Sequence, residues 1–152
     1  MTLYALEPDA DPERPSSIRP FEQGGSYLAD AVALWRLVDN RRADALRGFV
    51  DGAEEADPDG HPHWTAAGVQ ELVDLLSGLE ERLADAGVLD ASWMTPIEAV
   101  PELARRVPGM DARPERTELE LQQALAEVVF RVQDLRAFLD RVLASGWDLE
   151  LS

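Results

Sequence analysis

Between Thr117 and Ser145, near the C-terminal end of the sequence, Leu121, Leu125, Val128, Val132, Leu135, Leu139 and Val142 recur at alternating steps of four and three. Residues three or four apart share one face of an α-helix, so this spacing writes a continuous apolar seam. As a single helix, the 29 residues from Thr117 to Ser145 extend roughly 43 Å at about 1.5 Å each. That is long enough to form the axis of a small domain. Thr117 and Glu120 make a capping box at its start. The rest of the chain has to cover this helix.

A seam of seven heptad positions also describes a two-stranded coiled coil, but such zippers carry charged residues beside the seam. Here Val129, Phe138 and Leu143 flank it, and Phe130 lies outside it. The apolar stripe is too wide for a zipper and suits a helix buried on several sides of a bundle. The expected fold is therefore mainly α: a single-domain antiparallel helical bundle around the long C-terminal helix. Phe130 then touches a further helix or sits in an interface, including that of a homodimer, and monomer and dimer both stay open.

Punctuation along the chain gives the covering elements. Met1 to Leu6 reads as a short strand, and after Gly146 the alternation of Trp147, Leu149 and Leu151 with Asp148 and Glu150 has the period of another. The two are expected to pair. Pro8, Pro12, Pro15 and Pro20 with Asp9, Asp11 and Glu13 make residues 1–25 a proline- and aspartate-rich arm, leaving 26–152 as the helical domain. Ser26 is the expected cap of a first helix bearing Leu28, Ala31, Val32, Trp35 and Val38, which continues or breaks near Asn40 before Leu46, Phe49 and Val50. Asp51 to His63 reads as a loop, with Gly52, Pro58, Gly60 and Pro62 as breakers.

Thr65 is then the expected cap of a helix over residues 66–86, with Trp64 and Val69 as a hydrophobic staple and Gly87 with Val88 as a Schellman stop. Gly68 and Gly78 weaken that helix by up to about 1 kcal/mol each relative to alanine, which points to a close neighbour at Gly78. Thr95, Pro96 and Glu98 open a shorter helix that Pro101 kinks or restarts and Pro108 and Gly109 end.

Charge is the strongest functional signal. The sequence carries 30 acidic and 14 basic residues, every one of the latter arginine, for a net −16. Residues 48–104 hold 13 of the acids against Arg82 alone. A field of that sign repels phosphate backbones and anionic membranes, so neither nucleic acid nor membrane is an expected partner, whereas a basic protein is. Arg36, Arg41, Arg42 and Arg47 form the most basic stretch, an expected inner salt-bridge surface for the acidic middle. With no cysteine, disulfides and thiolate chemistry are excluded. No apolar run reaches the about 20 residues needed to cross a bilayer, and the acidic N-terminal residues do not resemble a secretory signal. The chain reads as soluble and cytoplasmic.

Catalytic signatures are missing. Asp57, Asp59, His61 and His63 resemble metal ligands, but a calcium loop begun at Glu55 would need a bidentate glutamate where Ala66 stands. Glu71 and Asp74 lie off their helix's apolar face, and no nucleophile elbow or phosphate-binding loop occurs. No metal, cofactor or catalytic residue is assigned. The expected function is an acidic protein-binding module, of the inhibitor, immunity or antitoxin type, docking on a basic partner such as a nuclease toxin. Its candidate contacts are Asp51, Glu54, Glu55, Asp57, Asp59, Trp64, Glu80, Glu81 and Trp93. The alternative is a small helical enzyme or ligand-binding protein in which Arg36, Arg42 or Arg105 holds an acidic small molecule inside the bundle.

Overall fold

The computed structural model describes residues 2–6, 22–24, 26–56, 61–110 and 115–151. The chain is mostly helical, with a small antiparallel sheet at one side. In chain order the elements are β1 (Thr2–Leu6), β2 (Glu22–Gly24), α1 (Ser26–Val38), α2 (Asn40–Ala56), β3 (His63–Trp64), α3 (Ala66–Leu76) and α4 (Leu79–Asp85). A 3-10 turn (Ile97–Ala99) then runs directly into α5 (Val100–Arg106), and α6 (Glu118–Ala144) and β4 (Asp148–Leu151) follow.

The seam folds as its spacing dictates. α6 is 27 residues long, and Leu125, Val128, Val129, Val132, Leu135, Phe138, Leu139 and Val142 are buried along it. The Thr117 hydroxyl accepts the Glu120 amide at 3.2 Å, which satisfies one of the amides left without a carbonyl at a helix start. α1, α3 and α5 all pack against this helix. Arg131 reaches back to Glu127 at 3.6 Å and across to Asp30 of α1 at 3.7 Å. Phe130 is not buried under a further helix; it is 61% exposed.

The first helical stretch breaks in two. Val38 ends α1, and the Asp39 carboxylate accepts the Arg41 and Arg42 amides at 3.1 and 3.3 Å, so Asp39 caps α2. Ser26 is the first helical residue and not the cap before it. The expected loop from Asp51 is also corrected: α2 continues to Ala56, because Ala53, Glu54, Glu55 and Ala56 are good helix formers that outweigh Gly52. Residues 57–60 lie outside the described residues.

The helix expected over 66–86 divides at Ser77 and Gly78. Gly78 takes φ +83°, a left-handed conformation that glycine alone adopts freely, and separates α3 from α4. A Cβ there would meet nothing nearer than 3.9 Å, so Gly78 is a hinge in the path of the chain and not a close packing point. The close approach is at Gly68, where a Cβ would come within 2.9 Å of the Trp64 Cβ. Gly87 and Val88 do form the Schellman stop, with the Val88 amide on the Leu83 carbonyl at 2.9 Å and the Gly87 amide on Ala84 at 3.1 Å. Pro101 is accommodated in the first turn of α5, where its missing amide costs no hydrogen bond.

The sheet has the order β2-β1-β4-β3. Leu3 pairs with Leu151 and Ala5 with Leu149, all four buried, so the expected partnership of the first and last strands holds. β2 extends the sheet beyond β1, an addition without an apolar pattern in Glu22–Gly24 to announce it. The remainder of the proline-rich arm, 7–21, lies outside the described residues. One apolar cluster runs from Leu3 and Trp35 through Leu72 and Leu139 to Leu149.

Candidate protein-binding face

α4 leads, through its Schellman stop, into a short irregular segment that the core grips at both ends. Val88 and Leu89 are buried on one side and Thr95 on the other. Gln122 of α6 donates to the Thr95 carbonyl at 2.7 Å, tying the segment to the central helix. Between these anchors Asp90 builds a tight turn. Its Oδ1 accepts the Ser92 amide at 2.8 Å, the Ser92 hydroxyl at 2.7 Å and the Met94 amide at 3.1 Å, while the Asp90 amide donates to the Met94 carbonyl. The Ser92 hydroxyl bond, then the Met94 and Ser92 amide bonds, hold the Asp90 carboxyl below its ordinary pKa.

Trp93 stands at the tip of this turn. It is the one non-glycine among the described residues with positive φ, at 64°, and it is 47% exposed. A left-handed backbone costs a bulky residue on the order of 1–2 kcal/mol, and the Asp90 bonds hold it there. Ile97, four residues on, is 36% exposed. Exposed Glu81 and Asp85 of α4 precede the turn in sequence, and exposed Glu98 and Glu102 follow it. In sequence, the exposed apolar residues are thus flanked on both sides by exposed carboxylates.

The sequence-derived candidates divide among different places. Trp93 and Glu81 are exposed on this stretch, and Glu80 is half-buried beside them. Asp51, Glu54 and Glu55 are exposed on α2. Asp51 meets Arg47 at 3.5 Å. Trp64 is only 6% exposed and stacks on Phe49 with ring centroids 6.2 Å apart, so it offers no surface to a partner. Asp57 and Asp59 lie outside the described residues. Asp90, Ser92 and Ile97 complete the face without having been singled out by sequence; Asp-x-Ser before an isolated tryptophan is the turn signal that marks them.

The arginines expected to form an inner salt-bridge surface do otherwise. Arg36 pairs with Asp44 of the neighbouring helix α2 at 2.8 Å. Arg42 lies 5.0 Å over the Trp35 ring and donates to the Ser77 carbonyl at 3.1 Å, while the Trp35 indole donates to Leu75 at 3.1 Å. Among the described residues Arg47 reaches the acidic stretch only through Asp51 of its own helix, and Arg82 forms an ion pair in the opposite sense, with Asp39 at 3.2 Å. Backbone donation from Arg42, with Arg82 nearby, lowers the Asp39 pKa below its ordinary value. Arg105 donates to Pro101 in its own helix.

Among the described residues no three histidine, aspartate or glutamate side chains gather as a metal site, and His63 instead lies 3.1 Å from Asp148. No helix among them is long and apolar enough to cross a membrane. Comparisons with protein-family models, curated proteins and solved structures find no match.

Proposed function

We propose that this protein is an acidic binding module that docks on a basic protein through the Trp93 turn and the carboxylates around it. The supporting observation is Trp93 itself, held outward in a left-handed conformation by an aspartate that spends its hydrogen bonds on the turn. Preorganisation of this kind lowers the entropy lost when a side chain is fixed on binding. Tryptophan is also the residue most enriched among interface hot spots. The surrounding carboxylates complement a basic surface, speed encounter with it and make association sensitive to salt. Basic enzymes such as nucleases belong to this charge class, and the reading we favour is a module of the inhibitor, immunity or antitoxin type.

The test is affinity purification from the native cell at low and high salt, with wild type beside Trp93→Ala. A stoichiometric basic protein should be retained at low salt, released at high salt and weakened about thirtyfold or more by the substitution, the ratio that corresponds to a hot spot of about 2 kcal/mol. If that partner is an enzyme, the wild-type module should inhibit it. Retention indifferent to both salt and Trp93 rejects the reading.

A further inference from the structure

Away from the Trp93 turn, α1 and α2 enclose a half-open cavity of about 500 Å³. It follows α1 from Ser26 to Arg36, a stretch of about 15 Å. Small-molecule sites typically occupy about 300–1,000 Å³. Leu28 and Val32 of α1, Val50 of α2 and Leu151 of β4 supply apolar lining.

The charged lining residues are sorted by position. Only Asp39 separates the two helices, and the Arg36–Asp44 pair shows α2 folding back along α1. Arg36 and Arg106 therefore mark the end where the helices join, and Glu54 and Ser26 the opposite end. Asp51, between them, is already engaged by Arg47. Arg106 comes from α5, and its Nη2 donates to the carbonyl oxygens of Arg36 and Leu37, both at 3.2 Å. The guanidinium is thus fixed on the last turn of α1, with Nε and Nη1 still able to donate. No carboxylate of the described residues pairs with it, although the chain carries 30 acidic residues. A fixed cation with spare donors, at one end of an elongated apolar recess, suits a ligand with the complementary distribution.

We propose that this cavity binds an elongated apolar monocarboxylate, a free fatty acid, with its carboxylate on Arg106, its chain along Val32 and Val50, and the Asp44-paired Arg36 adding positive charge at the same end. The site shares Arg36 with the alternative drawn from sequence but not Arg42 and Arg105, which are occupied elsewhere, and it adds Arg106 in a recess that opens to solvent. Calorimetric titration of the full chain with dodecanoate should give saturable one-to-one binding, with dodecanol and dodecyltrimethylammonium each about tenfold weaker or more. Arg106→Gln should weaken dodecanoate by about tenfold or more and leave dodecanol unchanged. Arg36→Gln should act in the same direction, which keeps the charge requirement testable if Arg106→Gln disturbs folding. Ala29→Trp, at an exposed position in the lining, should abolish binding with the thermal transition retained. Absence of saturable heat with dodecanoate overturns the proposal. So does equal affinity for the alcohol or the ammonium, or a titration unchanged by Ala29→Trp.

Discussion

The central helix and the acidic middle of the chain solve opposite problems. α6 runs 27 residues without a break and buries an apolar side chain at nearly every turn. Over residues 66–106 the chain is interrupted at Gly78, at Gly87 and through the Trp93 turn, and it turns carboxylates outward between those breaks. A long buried helix needs continuity, because each interior position packs against neighbours that fix its place. The proposed recognition surface instead needs a side chain aimed at solvent, which local hydrogen bonds and left-handed residues can provide. Burial and exposure are therefore concentrated in different stretches of one small chain.

Substitution can break that division in graded steps. Leu139→Ala, at a fully buried position of α6, should lower unfolding free energy by about 2–5 kcal/mol in chemical denaturation, the range for cavities of this size. Loss of the Thr117 cap in Thr117→Ala should cost about 1 kcal/mol by the same measurement. Gly78→Ala, which forces a Cβ into φ +83°, should also cost about 1 kcal/mol, although nothing crowds the site. Trp93→Gly reverses the sign: it removes the left-handed penalty and should stabilise by up to about 1 kcal/mol while abolishing capture of the basic partner. A large stability loss on Trp93→Gly would show the turn to be part of the core and erase the contrast.

Titration sharpens the same contrast without changing the core. The folded-state pKa of Asp39 and of Asp90 lies below 3.8. Their contribution is complete above the unfolded value and lost as pH falls through the folded one. Asp30 has the opposite sign: burial raises its pKa more than Arg131 lowers it. Its share of stability is present below the unfolded value and declines as pH rises through the folded one. Denaturant midpoints followed through the acidic range should therefore show less acid sensitivity in Asp39→Asn than in wild type, and more in Asp30→Asn.

What could be read from sequence followed the same divide. The seam, the Thr117 cap, the Gly87–Val88 stop and the period-two alternation of the last strand are written in periodicity and punctuation, which act over a few residues; the pairing of the first and last strands was expected, but its register came only with the fold. Helical α2 beyond Asp51 was hidden because a charge run with glycine looks like a loop, yet alanine and glutamate are helix formers. Trp64 was misplaced because aromatic residues near a loop serve the staple or the surface equally well; only Phe49 and Gly68, brought close by folding, decide it. The α1–α2 cavity was illegible for a related reason. It depends on Arg106 lying against the carbonyl of Arg36, 70 positions away, and no local pattern records that meeting.

The strand order carries a consequence for how the chain is made. β1, β2 and β3 precede β4 in the sequence, yet β4 lies between β1 and β3 and joins them. A ribosome therefore releases three strands before the one that unites them; the apolar faces of Leu3 and Ala5 wait through the synthesis of every helix described, and Trp64 through that of α3 to α6. Pairing across so long a separation closes a large loop and is intrinsically slow. The helices can gather around α6 first; Asp148–Leu151 then joins β1 and β3 across the intervening helices.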